Sequence, residues 1–326
     1  MTSSVRHAAL GLAVLCALGA SAGGASAQSG RLMARCAAES PAGDLDYCNT
    51  VAQAIEIAQP RIAIAASAGN PTIGASSTLG MRIGSVPRFA IAPRFTVVSL
   101  DLPAVETRNG DEIGALVPAA AIDASIGVYS GLALLPTVGG FGSLDLYGSL
   151  GRVFLPGDDG FDSGVASWAL GAQVGIVRES FSTPGITVSL TRRSVGDIEF
   201  GDPELVDADA YFGLTDAGGW GLRGTIGKRF LLFSLTGGVG YDWYDSDVTV
   251  RYISDSPLTG SRDFTVADFA TDRLTAFGNL AFTVVIVSLA AEVGWQQGSE
   301  AFSGPGATDL IEKGGWYGSL ALRFAP

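Results

Sequence analysis

Hydrophobic and polar residues alternate along several stretches of this chain, most clearly over 142–154. The even positions up to 150 are all Gly or Leu, whereas the odd positions are mainly Ser, Asp and Tyr. Successive side chains of a strand point to opposite faces, so this period of two predicts a strand with one apolar face. The glycine cluster 139–142 lacks the third glycine and the following helix of a dinucleotide-binding loop, which argues against a phosphate site.

The same alternation recurs at 220–226, 231–243, 274–283 and 287–296. The polar face carries small residues and few charges, unlike the Lys- and Glu-rich outer face of a soluble β-sandwich. No apolar run of about 20 residues follows the N-terminus, so no transmembrane helix is predicted. Aromatic residues stand near the predicted strand ends, at Trp168, Trp220, Tyr241, Trp243, Trp295 and Trp316. Together these features predict an all-β, antiparallel, up-and-down transmembrane β-barrel, apolar outside and polar inside.

The alternation predicts about twelve strands. They lie near 61–68, 77–86, 88–100, 116–129, 141–154, 167–178, 185–197, 219–229, 231–244, 272–284, 287–297 and 315–325. A count of fourteen stays open, because 198–218 and 245–271 are long enough to hide strand extensions.

The predicted connections alternate in length. Long polar links near 101–115, 155–166, 198–218, 245–271 and 298–314 alternate with short ones near 87, 179–184, 229–230 and 285–286. Short periplasmic turns and long outer loops are typical of barrels in the bacterial outer membrane.

The N-terminus reads as an export signal. Arg6 and His7 precede an apolar run, and Ala25-Ser26-Ala27 fits a small-x-small cleavage site. We therefore expect three parts: a signal peptide at 1–27, a periplasmic N-terminal segment at 28–60, and the barrel at 61–326.

The periplasmic segment is expected to contain a short helix and a disulfide. Apolar residues repeat at helical spacing between Asp44, which can cap the helix, and Pro60, which is expected to end it. Cys36 and Cys48 are the two cysteines left after cleavage, and an even pair in an exported chain favours a disulfide. The segment either enters the lumen as a plug or gate, or covers the lower rim as a lid.

Strand parity sends a set of charged side chains to the polar, lumen-facing side. Both signs together either line a selective pore or pair with each other inside a narrow barrel. Arg192 and Lys228 fall on the lipid-facing parity and are expected near the membrane rim. The lumen-facing candidates are Arg82, Arg94, Asp123, Asp145, Arg193, Arg223, Asp242, Glu292 and Arg323.

Composition excludes several functions. The only histidine, His7, leaves with the signal, so the mature chain lacks the usual general base and the commonest zinc ligand. We therefore expect no enzyme, catalytic residue, metal site or cofactor. Loss of Arg6 takes the net charge from −12 to −13, which argues against a nucleic-acid partner.

The C-terminal stretch WYGSLALRF places alternate apolar residues on one face. Trp316, Leu320, Leu322 and Phe324 resemble the assembly signal that the barrel-assembly machinery reads, although Ala325 and Pro326 follow the aromatic residue. With the signal peptide and the strand pattern, the chain resembles the bacterial outer-membrane β-barrel superfamily. The resemblance implies a place in the outer membrane of a Gram-negative-type envelope, with membrane lipid and the assembly machinery as partners.

Two functions remain open at this point. The first is a porin-like channel or transporter for a small solute. The second is a non-conducting structural or surface-interaction barrel.

Overall fold

The computed structural model describes residues 25–39, 45–80, 87–103, 112–132, 140–157, 160–162, 164–201, 210–252, 262–299 and 309–326. Two helices come first, α1 (Ala25–Glu39) and α2 (Leu45–Ser67). Within these ranges, no helix is both long and apolar enough to cross a membrane. Most of the predicted signal peptide and the predicted cap Asp44 lie outside the described residues.

Helix α2 is longer than the sequence predicted, because Pro60 lies inside it and does not end it. Proline lacks the N–H that would bond the carbonyl of Glu56 four residues earlier. Arg273 replaces that donor, with its Nη2 3.1 Å from the Glu56 carbonyl oxygen. The helix continues to Ser67, so the predicted strand at 61–68 is wrong. That stretch is apolar at both parities, and it is buried all round, so a period of two carries no information there.

Eleven strands follow the helices in the described residues. They are β1 (Phe89–Pro103), β2 (Glu112–Tyr129), β3 (Ser143–Val153), β4 (Val165–Val177), β5 (Gly185–Val195), β6 (Ile198–Phe200), β7 (Ala210–Phe230), β8 (Phe233–Tyr252), β9 (Arg262–Val284), β10 (Val287–Gln296) and β11 (Gly315–Phe324).

Ten of these strands close into an antiparallel barrel. Each pairs with its neighbour in the chain, except that β5 pairs with β7, and β1 closes the ring on β11 with Phe95 opposite Leu320. The three-residue β6 stands outside the ring and pairs with the beginning of β7. The predicted count of twelve is therefore wrong by two: 61–68 is helical, and 77–80 is not a strand, while 81–86 lies outside the described residues.

The two ends of the barrel differ in their connections. Three of the four connections at one end, here called the short-turn end, are the short turns 231–232, 285–286 and 178–184, and the fourth is the longer link 130–142. At the other end, the long-loop end, strands are joined by longer links such as 253–261 and 297–314. Since bacterial outer-membrane barrels keep short turns in the periplasm, the long-loop end faces outward.

Strands β7, β8 and β9 are unusually long, with 21, 20 and 23 residues against 10 in β10 and β11. Their outer halves, here called the outer extension, cover 210–218, 245–252 and 262–271. Bulges interrupt the register there, and Asp216 and Asp268 adopt the left-handed φ values of 52° and 54°. The regions suspected of hiding strands thus lengthen β7, β8 and β9, and add only the short β6 to the sheet.

Candidate functional site

The lumen is the candidate site, and residues 45–80 run through it from one end to the other. Along β8, the Nε2 of Gln59 donates to the Oγ of Ser246 at 2.9 Å, in the outer half of the strand. Near the short-turn end of the same strand, the Oγ of Ser234 donates to the carbonyl of Gly74 at 3.0 Å. The segment 45–80, here called the plug, therefore descends from the long-loop end to the short-turn end before β1 begins.

The two helices meet at the long-loop end. Tyr47 donates its hydroxyl to the carbonyl of Arg251 at 3.2 Å, at the tip of β8. The disulfide Cys36–Cys48, with Cα atoms 5.6 Å apart, holds α1 against the first turn of α2, and Leu32 of α1 is buried in the same core. The sequence left two places open for this segment, a plug in the lumen or a lid on the periplasmic rim. Helix α2 lies in the lumen, and α1 meets it at the long-loop end.

Asp242 is the centre of the charged network in the middle of the lumen. Its carboxylate is fully buried and accepts from Arg193 at 2.5 Å, Arg223 at 2.8 Å and the hydroxyl of Thr275 at 2.8 Å. Arg223 also donates through Nε to the carbonyl of Gly69 in the plug at 3.0 Å. Two guanidinium groups thus share one carboxylate, and the plug backbone supplies a further acceptor. These contacts satisfy the buried charges, which neither lipid nor apolar side chains could do.

Glu292 holds the plug backbone directly. Its two oxygens accept the N–H groups of Gly69 at 2.8 Å and Asn70 at 3.0 Å, and the side-chain amide of Asn279 at 2.6 Å. Asn279 in turn accepts the N–H of Gly74 at 3.0 Å. Charge-assisted bonds of this kind are about twice as strong as neutral ones, so this cluster is a main attachment of the plug.

Close packing explains the glycines at this attachment. A Cβ on Gly69 would lie 2.7 Å from the ring of Phe277. Gly74 has a φ of +75°, and a Cβ added to it would lie 2.9 Å from the Cβ atoms of Ala281 and Ala290. Only glycine allows the plug backbone to approach the barrel wall this closely.

Two further carboxylates, Asp123 and Asp145, contribute to holding the plug on either side of this cluster. Asp123 pairs with Arg94 at 2.8 Å, and Arg94 also donates to the carbonyl of Ala66 at 3.3 Å. Nearer the short-turn end, Asp145 accepts the N–H groups of Leu79 at 2.6 Å and Gly80 at 3.3 Å.

The plug leaves almost no space inside the barrel. The internal cavities beside it measure about 20 Å³ and 10 Å³, no larger than the space that one water molecule needs. A cavity of about 730 Å³ opens at the short-turn end. Neither of the two internal cavities is large enough for a solute.

The structure places eight of the nine lumen-facing candidates inside the barrel, and Arg82 lies outside the described residues. Most of the eight bind another lumen residue or the plug. Arg323 is the exception, since neither a hydrogen bond nor an ion pair involves its side chain in the described part of the chain. The eight are Arg94, Asp123, Asp145, Arg193, Arg223, Asp242, Glu292 and Arg323.

The two charges on the lipid-facing parity lie near opposite ends. Arg192 forms an ion pair with Asp245 at 3.1 Å and stands 5.8 Å from the centre of the Trp220 ring, at the outer boundary. Lys228 donates to the carbonyl of Phe181 at 2.8 Å in a short turn. Both ammonium and guanidinium groups thus reach polar partners at the rim.

The sequence reasoning missed the polar residues of α2. Glu56 pairs with Arg273 at 3.4 Å, and Gln59 binds Ser246 and Thr271. Buried Glu and Gln in an otherwise apolar helix were the available signal for polar partners inside the barrel. No group of three or more His, Cys, Asp or Glu side chains in the described ranges could hold a metal ion.

The outward face of the barrel is an apolar belt. Leu150 is 72% exposed and Leu170 62% exposed, and Leu235, Leu289 and Leu320 are also more than half exposed. A soluble protein does not leave such a continuous apolar surface in water. This surface is suited to contact the lipid of a membrane.

Aromatic residues border the belt on both sides. Trp243 on β8 stands ten residues after Phe233, which matches the 9–11 residues that a strand needs to cross a membrane. The outer border holds the exposed Trp168, Trp220, Trp243 and Trp316 and the half-buried Trp295, and the inner border holds Phe89, Tyr129, Phe230, Phe233 and Phe324. This is an outer-membrane β-barrel. It resides in the outer membrane, and its outer boundary passes near Trp243.

Solved structures of other outer-membrane barrels are similar to this chain. The translocator domain of autotransporter NalP from Neisseria meningitidis is 12% identical over 73% of this chain and 88% of its own, with a TM-score of 0.41. The toluene transporter TodX of Pseudomonas putida is 10% identical over 80% and 97%, with a TM-score of 0.33. The attachment invasion locus protein Ail of Yersinia pestis is 9% identical over 73% and 97%, with a TM-score of 0.31.

No protein-family model matches the chain, and no curated protein matches it in sequence.

Proposed function

We propose that this outer-membrane barrel is a surface-interaction protein that does not conduct solutes in its resting state. The observation that carries the proposal is the plug, which fills the lumen and is held by buried charges from Glu56 to Gly80. Glu292 and Asp145 alone accept four backbone N–H groups of the plug. The polar lumen then serves as the core of the protein and not as a pore lining.

The long-loop end supplies the interaction surface. There α1, the first half of α2 and the outer extension share an apolar core that includes Tyr47, Phe212, Val250 and Phe269. A disulfide-linked unit beyond the membrane boundary is suited to contact partners outside the cell. The absence of histidine in the mature chain supports a non-enzymatic role.

A second candidate is transport of a small solute with the plug as a gate. The cavity of about 730 Å³ at the short-turn end favours it, because residues 74–79 of the plug line that cavity and would have to move for a passage to open.

In both cases, we propose that the assembly machinery recognises the last strand, which has Trp316, Leu320, Leu322 and Phe324 on its lipid face.

Planar-bilayer recording of the whole protein separates the two candidates. The wild type should show no steady conductance, whereas the pair Glu292→Ala and Asp145→Ala should show openings because the plug loses four of its anchors. Thr265→Ala, on the outer surface of the extension, is the control and should stay silent. Steady conductance by the wild type would contradict the proposal and favour transport.

Surface presentation is tested with an epitope inserted between Ser29 and Gly30. Antibody should bind it on intact cells. The same epitope at Ser182, in a short turn, should be reached only after permeabilisation. Binding that requires permeabilisation in both cases would remove the surface role.

A further inference from the structure

The cavity at the short-turn end has an unusual concentration of positive charge. Four arginines line it, Arg88, Arg178, Arg229 and Arg323, with Glu179 as its one acidic side chain. The whole chain has 20 Lys and Arg against 32 Asp and Glu. The cavity therefore has the opposite sign from the rest of the protein.

Three of these four arginines have no side-chain partner among the described residues. In the described part of the chain, the side chains of Arg88, Arg229 and Arg323 make no hydrogen bond or ion pair, whereas Arg178 donates to the carbonyl of Leu79 at 3.2 Å. Glu179 forms no ion pair with these arginines in the described part of the chain, and its carboxylate accepts the backbone N–H of Arg229, so one negative charge faces four positive ones.

Arg323 is the decisive residue. Only 7% of it is exposed, and it lies at the inner wall of the cavity, where β11 faces the plug. Its guanidinium has no hydrogen-bond or ion-pair partner in the described residues, and proteins commonly use such a group to bind an anion.

We propose that this cavity binds a small polyanion that carries phosphate or carboxylate groups. The guanidinium fork matches both groups, since each presents two oxygens to two N–H donors. A volume of about 730 Å³ is in the range of a ligand site and far larger than one inorganic ion needs. By the short-turn rule the cavity opens to the periplasm, so the site is independent of the surface role proposed above.

Calorimetric titration of the purified, folded protein with tripolyphosphate and with citrate tests the site. Wild-type protein should bind at least one of them, more weakly as NaCl concentration rises. Arg323→Gln should weaken binding by about tenfold or more, because a hydrogen bond to a charged group contributes about 1.5–3 kcal/mol. Arg152→Gln, an exposed arginine at the long-loop end that bonds the carbonyl of Gly164, is the matched control and should bind like the wild type.

A second pair of variants keeps the test valid if Arg323→Gln does not fold. Arg88→Gln and Arg229→Gln change exposed residues at the cavity rim and should each weaken binding. Absence of binding by the wild type, or equal affinity in every variant, would overturn the proposal.

A final comparison identifies the source of the anionic group. The titration is repeated in nanodiscs of phosphatidylcholine and in nanodiscs that also contain phosphatidylglycerol. Loss of tripolyphosphate binding in the second kind alone would assign the site to a lipid phosphate. Equal binding in both would assign it to a soluble anion.

Discussion

The membrane belt and the outer extension are built from the same strands but have opposite polarity. In the belt, β8 turns Leu235 toward lipid and Thr236 into the lumen. Beyond Trp243, the same strand turns Asp247 outward and Val248 inward, and Val248 is completely buried. The faces of the strand do not change. The solvent outside it does, from lipid to water.

What fills the interior changes with the polarity of the wall. In the belt, the inward side chains are polar, and they bind the backbone of residues 66–80, which has few other hydrogen-bond partners. In the extension, the inward side chains are mainly apolar, apart from Ser246 and Thr271 at its base, and they pack on Val51 and Ile55 of α2. One continuous plug thus serves a polar core below and a hydrophobic core above.

The largest expected difference between the two regions is the free-energy cost of placing a charged side chain on the outward face. Leu280→Arg places a guanidinium at mid-belt, where it costs about 2–4 kcal/mol, and should prevent insertion. Thr265→Arg makes the same change on the outward face of the extension, in water, and should cost no more than about 0.5 kcal/mol. Heat-modifiable migration on gels after folding into lipid vesicles measures both. Equal folding yields would show that the extension also lies in lipid.

The disulfide should stabilise only the outer region, which contains α1 and the first turn of α2. The pair Cys36→Ser and Cys48→Ser opens a link across 12 residues, which in the chain-entropy model contributes about 3 kcal/mol. Hydrogen exchange should rise in α1 and the first turn of α2, while the belt stays heat-modifiable because its ladder does not depend on the link. Faster exchange throughout β10 and β11 would instead mean that the two regions unfold as one unit.

A smaller effect is expected from a matched pair of valines on β8. Val248→Ala removes two buried methyl groups from the outer core and should cost about 2 kcal/mol. Val239→Ala removes the same groups from the lipid-facing side of the belt and should cost much less, since lipid fills the space. Urea titration of both variants in the same micelle gives the difference. If the costs are equal, Val239 packs against protein and not lipid.

The belt strands were predictable from sequence, whereas the outer extension was not. The predicted strand at 231–244 ends next to Asp245, at the point where the polarity of β8 reverses. In β7 and β9, the bulges near Asp216 and Asp268 also exchange the two parities. A period of two cannot be followed through a point where both the solvent and the register change.

The sequence by itself determined the barrel, its inward and outward faces and its location in the membrane. Lipid accepts apolar side chains only and leaves no backbone group unpaired, so each strand carries that pattern in its own residues. The cysteine pair and most of the charged lumen positions could also be predicted from the sequence, because each depends on a local pattern of residues.

Only the tertiary structure decided what occupies the lumen. The residues 61–80 carry no period that distinguishes strand, helix and coil, because they are surrounded by the barrel and satisfied by side chains distant in sequence. Glu292 is 223 residues from Gly69, and Asp145 is 66 from Leu79. Contacts of that kind depend on closure of the barrel, and no local pattern in the chain can encode them.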